Sequence, residues 1–133
     1  MKYILLMNAT QAGFEWYSKW PKEDLQANMA FMRDLSQQLR DEGVLVATEG
    51  LAFPSEAKIV HAGSDGSPIV TDGPFPEAKE FLAGYWIIDV ESAEEAYKIA
   101  ARVSLAPAPA GTPGTMPLEV RQVMSRAPKE WTS

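Results

Sequence analysis

The side chains best suited to acid–base chemistry or ligand binding lie in and after one turn-forming segment. Residues 70–75 read VTDGPF, and an Asp in such a segment can hydrogen-bond the backbone two residues on and begin a turn. Pro74 restricts the chain beside it, so the loop is predicted to hold polar groups with little loss of entropy on binding. These groups could transfer protons or could form structural salt bridges. The candidate ligand-binding residues here are Asp72, Lys79, Glu80 and Tyr85.

Charged residues also interrupt two of the predicted strands. Glu119 and Arg121 share one face of the predicted last strand, and an apolar set shares the other. If the apolar set packs on helices, the two charges point into a sheet–sheet interface, where they must be paired or meet a ligand. Arg121 is therefore predicted either to pair structurally with Glu49 or Glu119, or to bind an anionic group bidentately. The apolar set is Leu118, Val120 and Met124, and one face of the predicted strand 44–51 is expected to carry Leu45, Ala47, Glu49 and Leu51.

We expect the binding site where the loop 72–80 approaches the inner face of the sheet, near Arg121. No histidine lies in this region, so any acid–base step there would fall to a carboxylate, to Lys79 or to Tyr85.

The composition argues against several kinds of site. The 133 residues include no cysteine, which excludes disulfides, thiolate metal sites and Cys nucleophiles together. The one histidine, His61, is expected to be a surface or turn residue, and it cannot supply the three or four ligands of a zinc site. Residues 111–114 lack the Lys and the spacing of a phosphate-binding loop. We expect no cofactor and no transition metal, whereas the composition allows binding of Mg²⁺ by carboxylates.

The charge distribution limits the partners. Acidic residues outnumber basic ones 18 to 12, the formal net charge is −6, and Lys and Arg are scattered along the chain. A nucleic-acid surface needs concentrated positive charge, so nucleic acid is not an expected partner. The apolar run at residues 3–7 is too short for a signal-peptide core, and no stretch approaches the roughly 20 residues of a membrane span. We expect a soluble cytoplasmic protein without a membrane partner.

The periodicity of apolar residues predicts the elements that must position these groups. An amphipathic helix is predicted from Pro21, with Gly43 as a left-handed C-cap at its end. Ser92 and Glu95 form a capping box that opens a second helix. Strands are predicted at residues 3–7, 44–51, 57–62, 69–71, 84–90 and 118–124, with a tight turn at Asp65-Gly66.

The remaining segments are predicted to be irregular. Residues 8–19 read as a loop, and the aromatic residues at 14–20 are assigned to core or dimer contacts, or to the mouth of a cleft. The Pro-rich residues 105–117 read as a mobile loop that cannot hold a helix, and residues 72–83 as a loop or broken turn. A single domain is expected over residues 1–124, followed by a polar tail at 125–133.

The order β-α-β-β-(short β)-β-α-β predicts an α+β fold, a ferredoxin-like split βαβ with an added hairpin strand. Two helices would cover one face of an antiparallel sheet. The strands at residues 3–7 and 84–90 are apolar on both sides, so the uncovered face is apolar too and needs a partner. A second copy of the same sheet is the simplest partner, which predicts a homodimer.

The segment around residue 72 resembles the signature of the DGPF-domain, or YCII-related, family. In that family a Thr-Asp-Gly-Pro-Phe string precedes an acidic residue, a Lys-Glu pair and a glycine that opens an aromatic strand. The resemblance implies a dimeric α+β barrel of ferredoxin-like protomers, and it implies little about function because most members are uncharacterised. It rests on Thr71 to Phe75, Glu77, Lys79-Glu80 and Gly84-Tyr85, and extends to Gly43, Glu49-Gly50-Leu51, Glu91-Ser92, Glu95-Ala96 and Glu119-Val120-Arg121.

Two departures from the family pattern limit what the resemblance implies. Members with a proposed acid–base dyad carry a His in the first helix, where this chain has Gln26 and Asn28. Residues 102–105 also lack the proline usual after the second helix. The dyad is therefore not carried over.

Three functions remain open. The chain could bind a small molecule in a cleft between the sheets of the dimer. It could be a cofactor-free enzyme that uses carboxylate, Lys or Tyr acid–base chemistry on a small polar or aromatic substrate. It could be a regulatory interaction module linked to sigma-factor-type regulators, which only the family's gene context suggests.

Overall fold

The computed structural model describes residues 1–111 and 116–132, which form a four-stranded antiparallel sheet with helices packed on one face. In chain order the elements are β1 (Lys2–Ala9), α1 (Gln11–Ser18), α2 (Lys22–Asp41), β2 (Leu45–Gly50), β3 (Lys58–Ala62), β4 (Pro68–Asp72), β5 (Phe81–Asp89), α3 (Ala93–Ser104), β6 (Glu119–Gln122) and α4 (Lys129–Thr132). Short 3-10 turns occur at Pro54–Glu56 and Pro109–Gly111.

The sheet has the strand order β2-β5-β1-β6, and all neighbouring strands are antiparallel. Strands β1 and β2 therefore run parallel with β5 between them, and β5 and β6 run parallel with β1 between them. This is the split βαβ arrangement, so the predicted ferredoxin-like α+β layout is confirmed. Strands β3 and β4 form a separate two-stranded hairpin, in which Gly66 adopts a positive φ of 85° at the tight turn.

One face of the sheet carries the core. Buried side chains of β1 and β5 pack against buried leucines of α2 and buried apolar residues of α3, as the amphipathic patterns predicted. The core residues of the two helices are Leu35, Leu39, Ala96, Ile99, Ala100 and Val103, and those of the strands are Tyr3, Leu5, Trp86 and Ile88.

The alternating residues of the strands point to the opposite side, which we call the open face. Residues directly opposite each other in an antiparallel pair share a face, so the register assigns its members. None of these side chains is fully buried in the protomer. The open face consists of Ile4, Leu6, Ala47, Glu49, Tyr85, Ile87, Glu119 and Arg121.

A register shift in β2 changes one predicted set of side chains. Leu45 lies opposite Ile88 and packs against the core, whereas Ala47 lies opposite Ile87 on the open face. The prediction that Leu45 shares a face with Ala47 and Glu49 was therefore wrong. Residue 46 is an extra residue in β2 relative to β5, so the alternation of side chains between the two faces is reversed on one side of it.

The segment 8–19 differs most from the sequence prediction. Strand β1 continues to Ala9, and α1 follows where a loop was expected. The Thr10 hydroxyl accepts a 3.1 Å hydrogen bond from the backbone N–H of Gly13, an N-cap that stabilises the start of this short helix. A second register shift lies between Met7 and Asn8 in the pairing of β1 with β5. Strand β5 begins at Phe81, so the loop predicted over residues 72–83 is shorter than expected.

The two longer helices largely follow the predictions. Gly43 has a positive φ of 77° just after α2, as a left-handed C-cap requires. At α3 the Ser92 hydroxyl accepts from the Glu95 N–H, but the Glu95 carboxylate accepts from the N–H of Glu91 rather than from that of Ser92. The predicted loop 105–117 includes the 3-10 turn at Pro109–Gly111, and its residues 112–115 lie outside the described residues.

A bidentate ion pair joins the outer surfaces of α2 and α3. The Arg102 guanidinium donates to the two Glu42 carboxylate oxygens at 3.0 and 2.9 Å and to the Gln38 side-chain oxygen at 3.0 Å. The hydrogen bonds and charge of Arg102 lower the pKa of Glu42, so this contact is present at neutral pH and is lost in acid. None of the described helices is long and apolar enough to cross a membrane.

Candidate functional site

A cavity of about 750 Å³ lies on the helix-covered side of the sheet, and this volume is in the range of small-molecule sites. Its walls come from α1 and α2, from β1, β2 and β5, and from the segment after α3. Apolar and aromatic side chains make up most of the lining. The position of the cavity depends on α1, because this helix and Phe53 form part of the cavity wall outside the core.

Five aromatic side chains form one wall of the cavity. Phe14 and Tyr17 lie three residues apart on the same side of α1, and Phe53 packs against both from the segment after β2. Ring centroids lie 5.6 Å apart for Phe14 and Phe53, and 5.0 Å apart for Trp16 and Trp20. These are edge-to-face distances at which aromatic pairs attract. The aromatic wall comprises Phe14, Trp16, Tyr17, Trp20 and Phe53.

Methionines of α2 and β1 also line the cavity. Met32 of α2 is partly buried and also packs against the core, while Met29, one turn earlier, is 62% exposed. Met7 lines the cavity from β1. Flexible thioether side chains adapt to ligands of irregular shape and make favourable contacts with aromatic rings.

Four polar groups of the lining differ in their hydrogen bonding. The Asn28 side-chain amide donates to the Pro107 carbonyl at 3.0 Å, and the Thr48 hydroxyl donates to the Tyr85 carbonyl at 2.9 Å. The indole N–H groups of Trp20 and Trp86 are buried and have no hydrogen-bond partner among the described residues. Burial also raises the pKa of the Tyr17 phenol above its usual value.

Charged residues lie around the cavity as well. Arg33 and Arg40 belong to α2, and two acidic residues line the cavity from β2 and from the residue before β5. The acidic residues are Glu49 and Glu80, both of which the sequence had marked as ligand-binding candidates. The register places the Glu49 side chain on the open face, opposite Tyr85, so of these two acidic residues only Glu80 can direct its carboxylate to the cavity.

The other candidates lie elsewhere in the protomer. Asp72 accepts a 2.6 Å hydrogen bond from Lys58, which lowers the pKa of the Asp72 carboxyl, and neither Asp72 nor Lys79 lines the cavity. Arg121 lies 3.7 Å from Glu119, as in the structural-pair interpretation of this strand. Tyr85 sits opposite Glu49 in the register, on the open face. Within one protomer, then, Asp72 lies on the separate hairpin, whereas Arg121 lies on β6 of the four-stranded sheet.

The sequence interpretation assigned the aromatic residues at 14–20 mainly to core or dimer contacts. Phe14 is buried, but the group also forms the cavity wall. Two signals in the sequence point to this arrangement. One is Thr10 three residues before Gly13, a spacing that suits an N-cap, and the other is the helical spacing of the rings that follow. Among the described residues, no group of three or more His, Asp or Glu side chains is arranged to hold a metal ion.

Comparison with known proteins matches most of this chain. The family model described as the YCII-related domain matches residues 1–118. This chain belongs to the YCII-related family. It is also similar to an uncharacterized protein of Rhizobium meliloti (strain 1021), with 37% identity over 118 residues that cover 87% of this chain and 89% of that protein.

In this YCII-related chain, Gly73 and Gly84 belong to the segment that resembles the family signature, and neighbouring atoms leave almost no room for a side chain at either position. A Cβ atom at Gly84 would lie 3.0 Å from the Glu49 carbonyl oxygen, so Gly84 allows β2 to pair closely with β5 beside the cavity. At Gly73 a Cβ atom would lie 3.1 Å from Ile59 and 3.3 Å from the Ala57 oxygen. Phe75, the last residue of the same string, is 63% exposed, and the segment that carries it follows the separate hairpin.

Replacing Gly73 by Val is expected to lower the free energy of unfolding by about 1–3 kcal/mol. The cause is crowding against β3, since the φ of Gly73 is not positive. Urea denaturation measures the effect, and Gly50→Val is the control because a Cβ atom there meets nothing within 4 Å. Equal urea midpoints for the two variants would contradict this interpretation.

Proposed function

We propose that this YCII-related protein binds a small, largely apolar molecule in the cavity between the aromatic wall and α2. The observation that carries the proposal is a space of about 750 Å³, mainly apolar, with a few polar groups among its lining residues. Small-molecule sites in proteins have this size and composition. The binding site proposed here lies inside each protomer, on the helix-covered side, rather than between two sheets.

We further propose that the protein is a homodimer in which the open faces of two sheets pack together. Ile4, Leu6 and Ile87 form an apolar centre on that face, flanked by the Glu119–Arg121 pair on the edge strand. A two-fold arrangement would cover the same patch on both copies. The cavity stays accessible in such a dimer, because it lies on the other side of the sheet.

A cofactor-free enzyme is the second candidate, and it is favoured by Glu80, an acidic residue that lines the same cavity. A carboxylate beside a bound molecule can accept or donate a proton. Asp72 suits this role less well, because its pairing with Lys58 lowers its pKa and it lies outside the cavity.

Ligand binding can be tested with anilinonaphthalene sulfonate, a dye whose fluorescence rises in apolar sites. We expect saturable binding to the wild-type protein and an affinity about tenfold lower for Met32→Trp, which fills part of the cavity. The control is Tyr97→Trp, which adds the same indole at a position on α3 that is 56% exposed and outside the cavity lining.

Dye binding that does not saturate, or that is equal in the two variants, would contradict the proposal. Far-ultraviolet circular dichroism of both variants checks that the fold is retained.

A further inference from the structure

Three residues of α2 that line the cavity form a polar strip along one side of the helix. They lie three and four residues apart, so each is about one turn from the next. A rise of about 1.5 Å per residue separates the Cα atoms of the outer two by roughly 10 Å. An extended arginine side chain is longer than half of that distance, so two arginines can reach one group bound between them. The polar strip consists of Arg33, Ser36 and Arg40.

Arg40 carries an unpaired charge beside the cavity. In the part of the chain that the structure describes, its guanidinium has no ion pair, although two acidic residues follow it directly in the sequence. Both acidic side chains have other partners, because Asp41 accepts from Gln37 at 2.9 Å and Glu42 accepts from Arg102 at 3.0 and 2.9 Å. The guanidinium donors of Arg40 are therefore available to a ligand.

The other two members of the polar strip are available as well. Arg33 makes a 3.9 Å ionic contact with Asp34, but its side chain is 76% exposed, so this surface pair is weak and easily exchanged. Ser36 is 8% exposed, and its hydroxyl makes no hydrogen bond within the described ranges. The Ser36 oxygen is nevertheless not one of the fully enclosed polar atoms, so it keeps accessible surface in a residue that lines the cavity.

The charge of the lining is opposite in sign to that of the chain. The protein has a net charge of −6, whereas at the cavity the two arginines of the polar strip outnumber Glu80, the acidic residue of the described lining whose carboxylate can face it. Positive charge beside a mainly apolar space favours a ligand with an apolar body and an anionic end. Arginine suits a carboxylate, because its planar fork can bind both oxygens, and a serine hydroxyl can donate to the same group.

We propose that the ligand of this cavity is an amphipathic carboxylate, whose apolar body lies against the aromatic wall and whose anionic head is bound by Arg33, Ser36 and Arg40. This assignment rests on the proposed binding function and adds the chemical class of the ligand.

The test compares two probes, naphthoate and naphthamide, by equilibrium dialysis at neutral pH. Both have the same flat ring system and a planar head group of nearly the same shape, but only the carboxylate of naphthoate is charged. Apolar burial alone would favour naphthamide, because a charged group costs more to remove from water. We expect the wild-type protein to bind naphthoate about tenfold more tightly than naphthamide, because the arginines pair with its charge.

The double variant Arg33→Gln with Arg40→Gln should bind the two probes with about equal affinity, because glutamine stays polar but carries no charge. Each single variant should reduce the preference for naphthoate. Both arginines are exposed, so the fold should be retained, and circular dichroism checks this. Arg126→Gln is the matched control, since it makes the same charge change at an exposed position outside the cavity lining, and it should keep the wild-type preference.

The possible failures are distinguishable. If neither probe binds the folded wild-type protein, the proposed binding function is wrong, and the ligand class with it. If naphthamide binds but naphthoate is not preferred, or if the preference survives in the double variant, only the assignment of the anionic head is overturned. A preference that Arg126→Gln reduces as much as Arg40→Gln would also overturn it, because the overall charge of the protein would then be the cause.

Discussion

Replacing Ile87 by Asp is expected to convert the protein from a dimer into a monomer. Ile87 lies at the centre of the open face, opposite Ile4 on β1 and Ala47 on β2. In a dimer built through this face, the new carboxylate would be buried without a partner. Such burial costs several kcal/mol, so the dissociation constant should rise by about 1,000-fold or more.

Light scattering at micromolar concentration measures this change directly. The wild-type protein should have about twice the chain mass of 14.6 kDa, and Ile87→Asp should have the mass of one chain. Tyr97→Asp is the control, because Tyr97 lies on α3 and is 56% exposed. A monomeric wild-type protein, or a variant that stays dimeric, would show that the open face is not the interface.

Leu39→Ala is expected to lower the free energy of unfolding by about 2–5 kcal/mol. Leu39 is fully buried on α2 and packs in the core with residues of the sheet and α3. The truncation removes apolar contacts and leaves a cavity in the interior that its neighbours can only partly fill. Since α2 also supplies Met29, Met32 and Arg33 to the ligand cavity, the same variant should bind the dye more weakly.

The matched control for this variant is Met29→Ala on the same helix. Met29 is 62% exposed, so its truncation should change stability by no more than about 0.5 kcal/mol. Urea denaturation measures both variants, and a change in midpoint at constant slope is a change in stability. A Leu39→Ala midpoint as high as that of Met29→Ala would mean that α2 contributes little to the core.

The elements that the sequence predicted well are those with a strong local pattern. Helix α2 has apolar residues at three- and four-residue spacing over 20 residues, and a glycine with positive φ follows it. Strands β1 and β5 are continuous apolar runs, and their pairing through the centre of the sheet matches their burial on one face and partial burial on the other. Helix α1 was missed because its eight residues give only two turns of a pattern.

Bulges account for a second group of errors. The extra residue at 46 moved Leu45 to the core face, and the shift at Met7 and Asn8 lengthened the pairing of β1 with β5. A bulge adds one residue to one strand of a pair, and it depends on how both strands pack. The alternation within one strand therefore does not reveal it.

For the candidate site, residue types and spacings determined some features, and contacts between distant segments determined others. The sequence by itself determined the family, the order of the elements and the polar character of the loop after β4, because these depend on residue types and on spacings within each segment. Only the tertiary structure decided that Asp72 pairs with Lys58, that Arg121 pairs with Glu119, and that the indoles of Trp20 and Trp86 line one cavity. The physical reason is that Trp20 and Trp86 are 66 residues apart in the chain, and their meeting depends on how α1 and α2 pack on the sheet.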